Sequence, residues 1–301
     1  MKLFANLPDG RPIHAVSIAN DRLAATFLTH GARLLELRFD NSRSLVPPLH
    51  VEDLLASGKY TGVIVGPVMN RLAAARAPLD GETLVFTPNE GANLLHSGED
   101  GVNTKIWELA ETTETSVTFR LNLPPDSFPG NREINARYRL EESDFILEIT
   151  ATTDAPTLMN AGFHPYWNLS GGTPETHNVS IAAPHYLPMD SQNIPTGEIA
   201  DASGTEFDYQ VARTPTRDID HCFVLQPRSK TEQAVRLASE SIAMDVLTDA
   251  PAVHVYTGKD IGIAVEPEIH PDAPNQETFP SIRLAPGETF QQKVIHRFTN
   301  L

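Results

Sequence analysis

The sequence is built of short stretches in which apolar and polar side chains alternate, with proline and glycine pairs between them. Val117, Phe119, Leu121 and Leu123 are interleaved with Thr118, Arg120 and Asn122. Ile134, Ala136, Tyr138 and Leu140 are interleaved with Asn135, Arg137 and Arg139, and Phe145, Leu147 and Ile149 keep the same period. Successive side chains of a strand point to opposite faces, so each stretch has one face for a core and one for water. Shorter segments of this kind occur at Val253-His254-Val255, at 261–265 and at 294–298. Turn signals such as Pro124-Pro125, Asp80-Gly81, Gly171-Gly172 and Pro286-Gly287 separate them. Helical periodicity is scarce, and the best candidate is Val51 to Ser57, closed by Gly58 as a C′ residue. With 24 prolines and 18 glycines among so many strand-like segments, the chain reads as all-β, a large antiparallel β-sandwich with few short helices.

No repeat, charge block or shift of composition divides the 301 residues, and all-β enzymes fill about 250 residues as one domain. Residues 1–301 are therefore expected to form a single domain, with 184–215, rich in Asp, Ser, Gly and Pro, as a long surface excursion. The balance of 39 acidic against 23 basic side chains gives a net charge of −16. That charge argues against nucleic acid and anionic membrane surfaces, which attract positive patches. Cys222 is the only cysteine, so an internal disulfide is impossible and a reducing compartment fits. No apolar run approaches the roughly 20 residues of a membrane span. The first residues carry too short an apolar stretch for a secretory signal, so the expected compartment is the cytoplasm.

Phosphate-loop, dinucleotide-loop and nucleophile-elbow motifs are all missing. Glu266, Glu268, His270 and Asp272 stand two residues apart, and on one continuous strand they would share a face suited to a divalent ion. Pro267 and Pro271 interrupt that geometry, so no metal is expected there.

Four segments combine ionisable, polar and aromatic residues in ways that a bare scaffold seldom needs. Asn70-Arg71 follows the apolar run Val63-Ile64-Val65, and an arginine there can present its rigid donor fork to ligand oxygens. Alone it reads more readily as a surface arginine pairing with one of the 39 carboxylates. His96 ends the turn-rich loop 89–96. His164 lies among Phe163, Tyr166 and Trp167, where rings could stack on sugar C–H faces and a partly desolvated imidazole could donate a proton. Glu266 ends an apolar strand, where burial would raise its pKa and poise it as a base.

Taken in order, these segments resemble the aldose 1-epimerase family. The matching stretches are 57–62 through Asn70-Arg71, Leu79-Asp80-Gly81, Asn93-Leu94-Leu95-His96, Lys105-Ile106-Trp107-Glu108, His164 to Gly171, Asp220-His221-Cys222-Phe223, Glu266-Pro267 with 271–276, and 284–288. The resemblance implies a sandwich whose concave face holds a monosaccharide, acting without metal or cofactor, as a monomer or homodimer. It implies that His164 is the acid on the ring oxygen and Glu266 the base on the C1 hydroxyl. Asn70, Arg71, His96 and Asp220 would hold the sugar. Glu268 departs from the pattern, since glutamine is usual there, and Trp167 stands where phenylalanine is usual. A hexose-6-phosphate epimerase, a non-catalytic sugar-binding protein and a glycoside hydrolase using Glu266 with Asp220 remain as alternatives.

Overall fold

A computed structural model describes every residue except 41, 50, 52–59, 217–218, 228–230 and 258–260. The expected helix at Val51 to Ser57 falls almost wholly outside the described residues. The helices that are described are single 3-10 turns such as Ala73–Ala75 and Ala273–Asn275. All named strands pair antiparallel, as the sequence pattern requires. No described helix is long and apolar enough to cross a membrane.

The largest sheet has eight strands. Its centre is the run Ser116–Leu123, Arg132–Glu141, Asp144–Thr153 and Phe290–Asn300. The alternation read from sequence is the observed one. Phe119, Ile134, Ala136, Tyr138, Phe145 and Leu147 are all buried, while the intervening residues of Arg132–Glu141 are exposed or half-buried. Two further large sheets, with four two-stranded ones, make up the rest of the described strands. One has four strands, from Lys2–Asn6 to Arg33–Phe39, and the other has six, including Asp220–Val224, Ala252–Tyr256 and Ile263–Glu268.

The inner faces meet in an aromatic core. Phe27 of the four-stranded sheet packs 4.5 Å from Tyr138 of the eight-stranded sheet, and Phe145 lies 6.3 Å from Phe163 and 6.5 Å from Trp167. The Tyr138 hydroxyl donates to the Ala32 carbonyl at 2.9 Å, so its one polar group is satisfied. Burying each such ring contributes on the order of 1.5–3 kcal/mol, which makes this interior the main source of stability. The segment 184–215 is more than a surface excursion. It supplies the short strands His185–Tyr186 and Ala200–Asp201 at the edge of the six-stranded sheet, and Leu187, Ala202 and Tyr209 are buried.

Candidate active site

The strand Ile263–Glu268 pairs with Tyr166–Trp167 on one side and with Ala252–Tyr256 on the other, and the latter pairs with Asp220–Val224. Register aligns Cys222, His254 and Glu266 in one row across three strands. Asp220, Tyr256, Ala264 and Tyr166 form the row on one side, and Val224, Ala252 and Glu268 the row on the other. Val253, Val255, Ile263 and Val265 point the opposite way, into the aromatic core. One face of this sheet is therefore apolar, while the other is buried and carries ionisable groups.

A cleft of about 220 Å³ opens over the polar face. It is lined by Asn70, Arg71, His96, His164, Asp220 and Glu266, together with Tyr60, Glu90, Leu95, Tyr166, His254 and Tyr256. All six residues singled out from the sequence thus come together, from segments nearly 200 positions apart. The metal-like quartet does not. Glu266 alone of the four lines the cleft, His270 packs edge-on against Phe279, and Asp272 accepts from the Ala73 amide and from Asn275. Among the described residues no group of three His, Cys, Asp or Glu side chains has metal-holding geometry.

The histidine at 164 ends the strand Gly162–His164, and its carbonyl accepts from the Gly62 amide at 2.8 Å. Gly62 has φ +72°, and a Cβ there would lie 2.4 Å from the Leu34 carbonyl oxygen, so only glycine can make this close approach. Period two also sorts the rings around His164. Tyr166 shares its face and stacks at 5.3 Å, whereas Phe163 and Trp167 turn into the core. The expectation of three rings beside the imidazole is corrected: Tyr166 and, from another segment, Tyr60 at 5.8 Å are the aromatic walls.

His164 Nε2 faces Glu266 Oε2 at 3.5 Å, which is close enough for charge attraction but longer than a formed hydrogen bond. Glu266 is buried, and burial raises its pKa well above the ordinary value. The charge of Asp220 raises it further, and Arg71 works in the opposite direction. Glu268, two residues further along the strand, does not line the cleft. It lies beneath the cleft floor, fully buried, and its own pKa is raised by burial and by Glu266.

Asn70 and His96 hold each other. Both have positive φ, 59° and 49°, and the Asn70 amide donates to His96 Nδ1 at 3.0 Å while the His96 amide donates to the Asn70 carbonyl at 3.0 Å. Backbone strain of this kind persists where the surroundings over-determine it, and it clusters at functional sites. The contact makes Nδ1 an acceptor, so the proton of neutral His96 is on Nε2. Burial keeps this ring neutral by pushing its pKa well below the usual histidine value. Arg71 donates through Nε and Nη2 to Glu90 at 2.7 and 3.0 Å, and its Nη2 lies 3.8 Å from Asp220 Oδ2. Burial alone would raise the Asp220 pKa, but the hydrogen bond from His254 and the charge of Arg71 hold it down at about 2.

Sequence reasoning passed over Glu90, Tyr60, Tyr256 and His254 as site residues. Glu90 carries no local signal, because its role depends on a long-range partner. His254 did carry one, as a titratable residue at the centre of an otherwise apolar strand segment.

A buried carboxylate facing an imidazole across a polar cleft, on an antiparallel sheet, is an arrangement suited to moving protons on a small polar molecule. The aldose 1-epimerase family profile matches residues 14–297. Aldose 1-epimerase of Escherichia coli K12 is 29% identical over an alignment of 334 positions that covers 97% of this chain and 96% of that one. Galactose mutarotase of Bos taurus is 28% identical, covering 99% and 97%. Among solved structures, an aldose epimerase homologue from C. elegans superposes with a TM-score of 0.90 at 28% identity, covering 96% and 99%. The galactose 1-epimerase of Lactobacillus acidophilus gives 0.87 at 25% identity, covering 99% and 97%. The chain belongs to the aldose 1-epimerase family.

Proposed function

We propose that this isomerase interconverts the α and β anomers of a free, uncharged aldose of the galactose or glucose type, with Glu266 as base and His164 as acid. The observation that carries the reading is the approach of Glu266 Oε2 and His164 Nε2, 3.5 Å apart inside a buried cleft. Opening a hemiacetal requires that the C1 hydroxyl lose a proton while the ring oxygen gains one. Glu266 as carboxylate takes the first, and His164 as imidazolium supplies the second. Rotation about C1–C2 then presents the other carbonyl face, and closure reverses both transfers. The pair holds one proton before opening and one after it, exchanged through the sugar, so no net charge is created in the low-dielectric cleft. Burial that raises the proton affinity of Glu266 makes it a stronger base in this step.

Arg71, Asp220, His96 and Asn70 are the sugar-holding groups in this reading. Fixing the reacting oxygens between acid and base removes the orientational part of the barrier. A phosphosugar fits less well. Arg71 is the only Lys or Arg side chain lining the cleft among the described residues, and it is engaged by Glu90 beside Asp220 and Glu266. Of the other cations that a phosphosugar would call on, Arg38 is exposed and paired with Glu36, Arg33 is buried with its guanidinium on the Thr61 carbonyl, and Lys59 lies outside the described residues.

Polarimetry of freshly dissolved α-D-galactose and α-D-glucose, with and without the protein, tests the reading directly. Accelerated decay to the equilibrium rotation is expected, with a bell-shaped pH dependence. A decay rate equal to that of buffer for both sugars would make the protein a binder rather than a catalyst.

A further inference from the structure

His254 sits in the middle of the polar row between Cys222 and Glu266, and it is buried. Its Nε2 is 2.6 Å from Asp220 Oδ1. Asn70 Nδ2 approaches the other ring nitrogen, Nδ1, at 3.1 Å, and the same amide reaches Glu268 Oε1 at 3.3 Å. An amide nitrogen only donates, so Nδ1 is the acceptor and Nε2 carries the proton that goes to Asp220. Glu268 Oε1 lies 3.7 Å from Nδ1. The Asn70 amide is thus shared between the imidazole and the Glu268 carboxyl, which ties the three side chains together.

We propose that His254 is a positioning residue for the sugar. Through its Nε2 proton it fixes the Asp220 carboxylate in the orientation that receives sugar hydroxyls, and Asn70 and Glu268 in turn fix the imidazole. This rests on the reading of Asp220 as a sugar-holding group. The low pKa of Asp220 is in keeping with a strong donor at 2.6 Å. Asn193 Nδ2 donates to the other carboxylate oxygen at 3.1 Å, so both oxygens are anchored and their remaining lone pairs are directed. The charged and titratable groups around His254 are Asp220 and Cys222 on one neighbouring strand and Glu266 and Glu268 on the other. Tyr256 stands on its own strand, His221 lies on the Asp220 strand, and Arg71 and His96 face it from the 70–96 region.

The test compares anomerisation by His254→Phe, His254→Gln and Asp220→Ala, with galactose as the probe sugar. His254→Phe removes the donor to a charged group and is expected to raise KM roughly 10- to 150-fold, with kcat within about threefold. His254→Gln retains a neutral donor and acceptor and is expected to bring KM back to within about fivefold of wild type at pH 7. Its weaker hold on Asp220 is expected to move the acidic loss of affinity to higher pH, a shift that a merely structural role does not produce. If Asp220→Ala raises KM and His254→Phe does not, the inference is overturned while the sugar-holding reading stands. If Asp220→Ala leaves KM unchanged, the reading beneath it fails. Should His254→Phe not fold, an unshifted acidic limb in His254→Gln overturns the inference by itself.

Discussion

The eight-stranded sheet and the six-stranded sheet are both antiparallel, yet they use burial for opposite purposes. Arg132–Glu141 in the first alternates buried and non-buried residues along its length, and beyond Arg132, which is buried against Asp126, its buried side chains are apolar. Ile263–Glu268 in the second is buried at every position and ends on two carboxylates. In the first case burial drives folding. In the second, burial of Glu266 and Glu268 opposes folding, because desolvating a carboxylate is unfavourable, and the same desolvation tunes proton affinity. Apolar packing such as the Phe27, Tyr138 and Phe145 cluster offsets that cost.

If this division holds, substitutions in the two sheets should separate cleanly by readout. The largest effect expected is on turnover. His164→Asn should lower kcat by about 10²- to 10⁴-fold with little change in melting temperature, because an amide cannot deliver a proton as imidazolium does. Steady-state polarimetry and calorimetry together check it, and a variant with more than a tenth of wild-type kcat would contradict the assigned acid. Phe119→Ala, in the eight-stranded sheet, should do the reverse. A buried phenylalanine truncated to alanine costs about 3–5 kcal/mol of stability, and kcat measured well below the lowered melting point should stay within about threefold. A collapse of kcat in the still-folded variant would mean that the two sheets are not functionally separate.

The legibility of the two sheets in the sequence differed for the same reason. Amphipathic strands print their two faces as alternation, so Val117 to Leu123 and Ile134 to Leu140 could be read directly. A strand buried on both faces prints little alternation, so only the short segment 261–265 reads as strand-like there, and the glutamates at its end mark the polar face. Two-residue strands such as Arg71–Leu72 and Leu94–Leu95 are too short for any period, although their pairing brings Arg71 and His96 to one cleft. The six cleft-lining residues stand out in the sequence because their types suit proton transfer and sugar binding and their order matches a family. Glu90 and His254 do not, because their partners Arg71 and Asp220 are chosen by the fold. Phe163 and Trp167 were assigned to the wrong side of their strand, since ring content alone does not specify a face.

Smaller effects sharpen the contrast within the polar sheet. Arg71→Ala and Asp220→Ala should each act largely through KM, at about 1.5–3 kcal/mol or roughly 10- to 150-fold. Unchanged KM in both, by initial-rate polarimetry, would place the sugar elsewhere. The smallest effect concerns stability against pH. The folded-state pKa of Glu268 lies above its ordinary value of 4.5, so the folded protein binds more protons than the unfolded chain above that pH. Stability associated with Glu268 is therefore present below about pH 4.5 and is lost as pH rises through the folded-state pKa. Glu268→Gln, which cannot ionise, should gain in melting temperature relative to wild type between pH 4 and pH 8. A difference that stays constant across that range would argue against a buried, proton-binding Glu268.

The most direct test sets the two carboxylates of one strand side by side. Glu266→Gln and Glu268→Gln change the same group to the same amide two residues apart, one in the cleft and one beneath it. Polarimetric kcat for α-D-galactose should fall by about 10²-fold or more in Glu266→Gln, because an amide cannot accept the C1 hydroxyl proton, and should fall far less in Glu268→Gln. The opposite ranking, or two variants with equal turnover, would contradict Glu266 as the base.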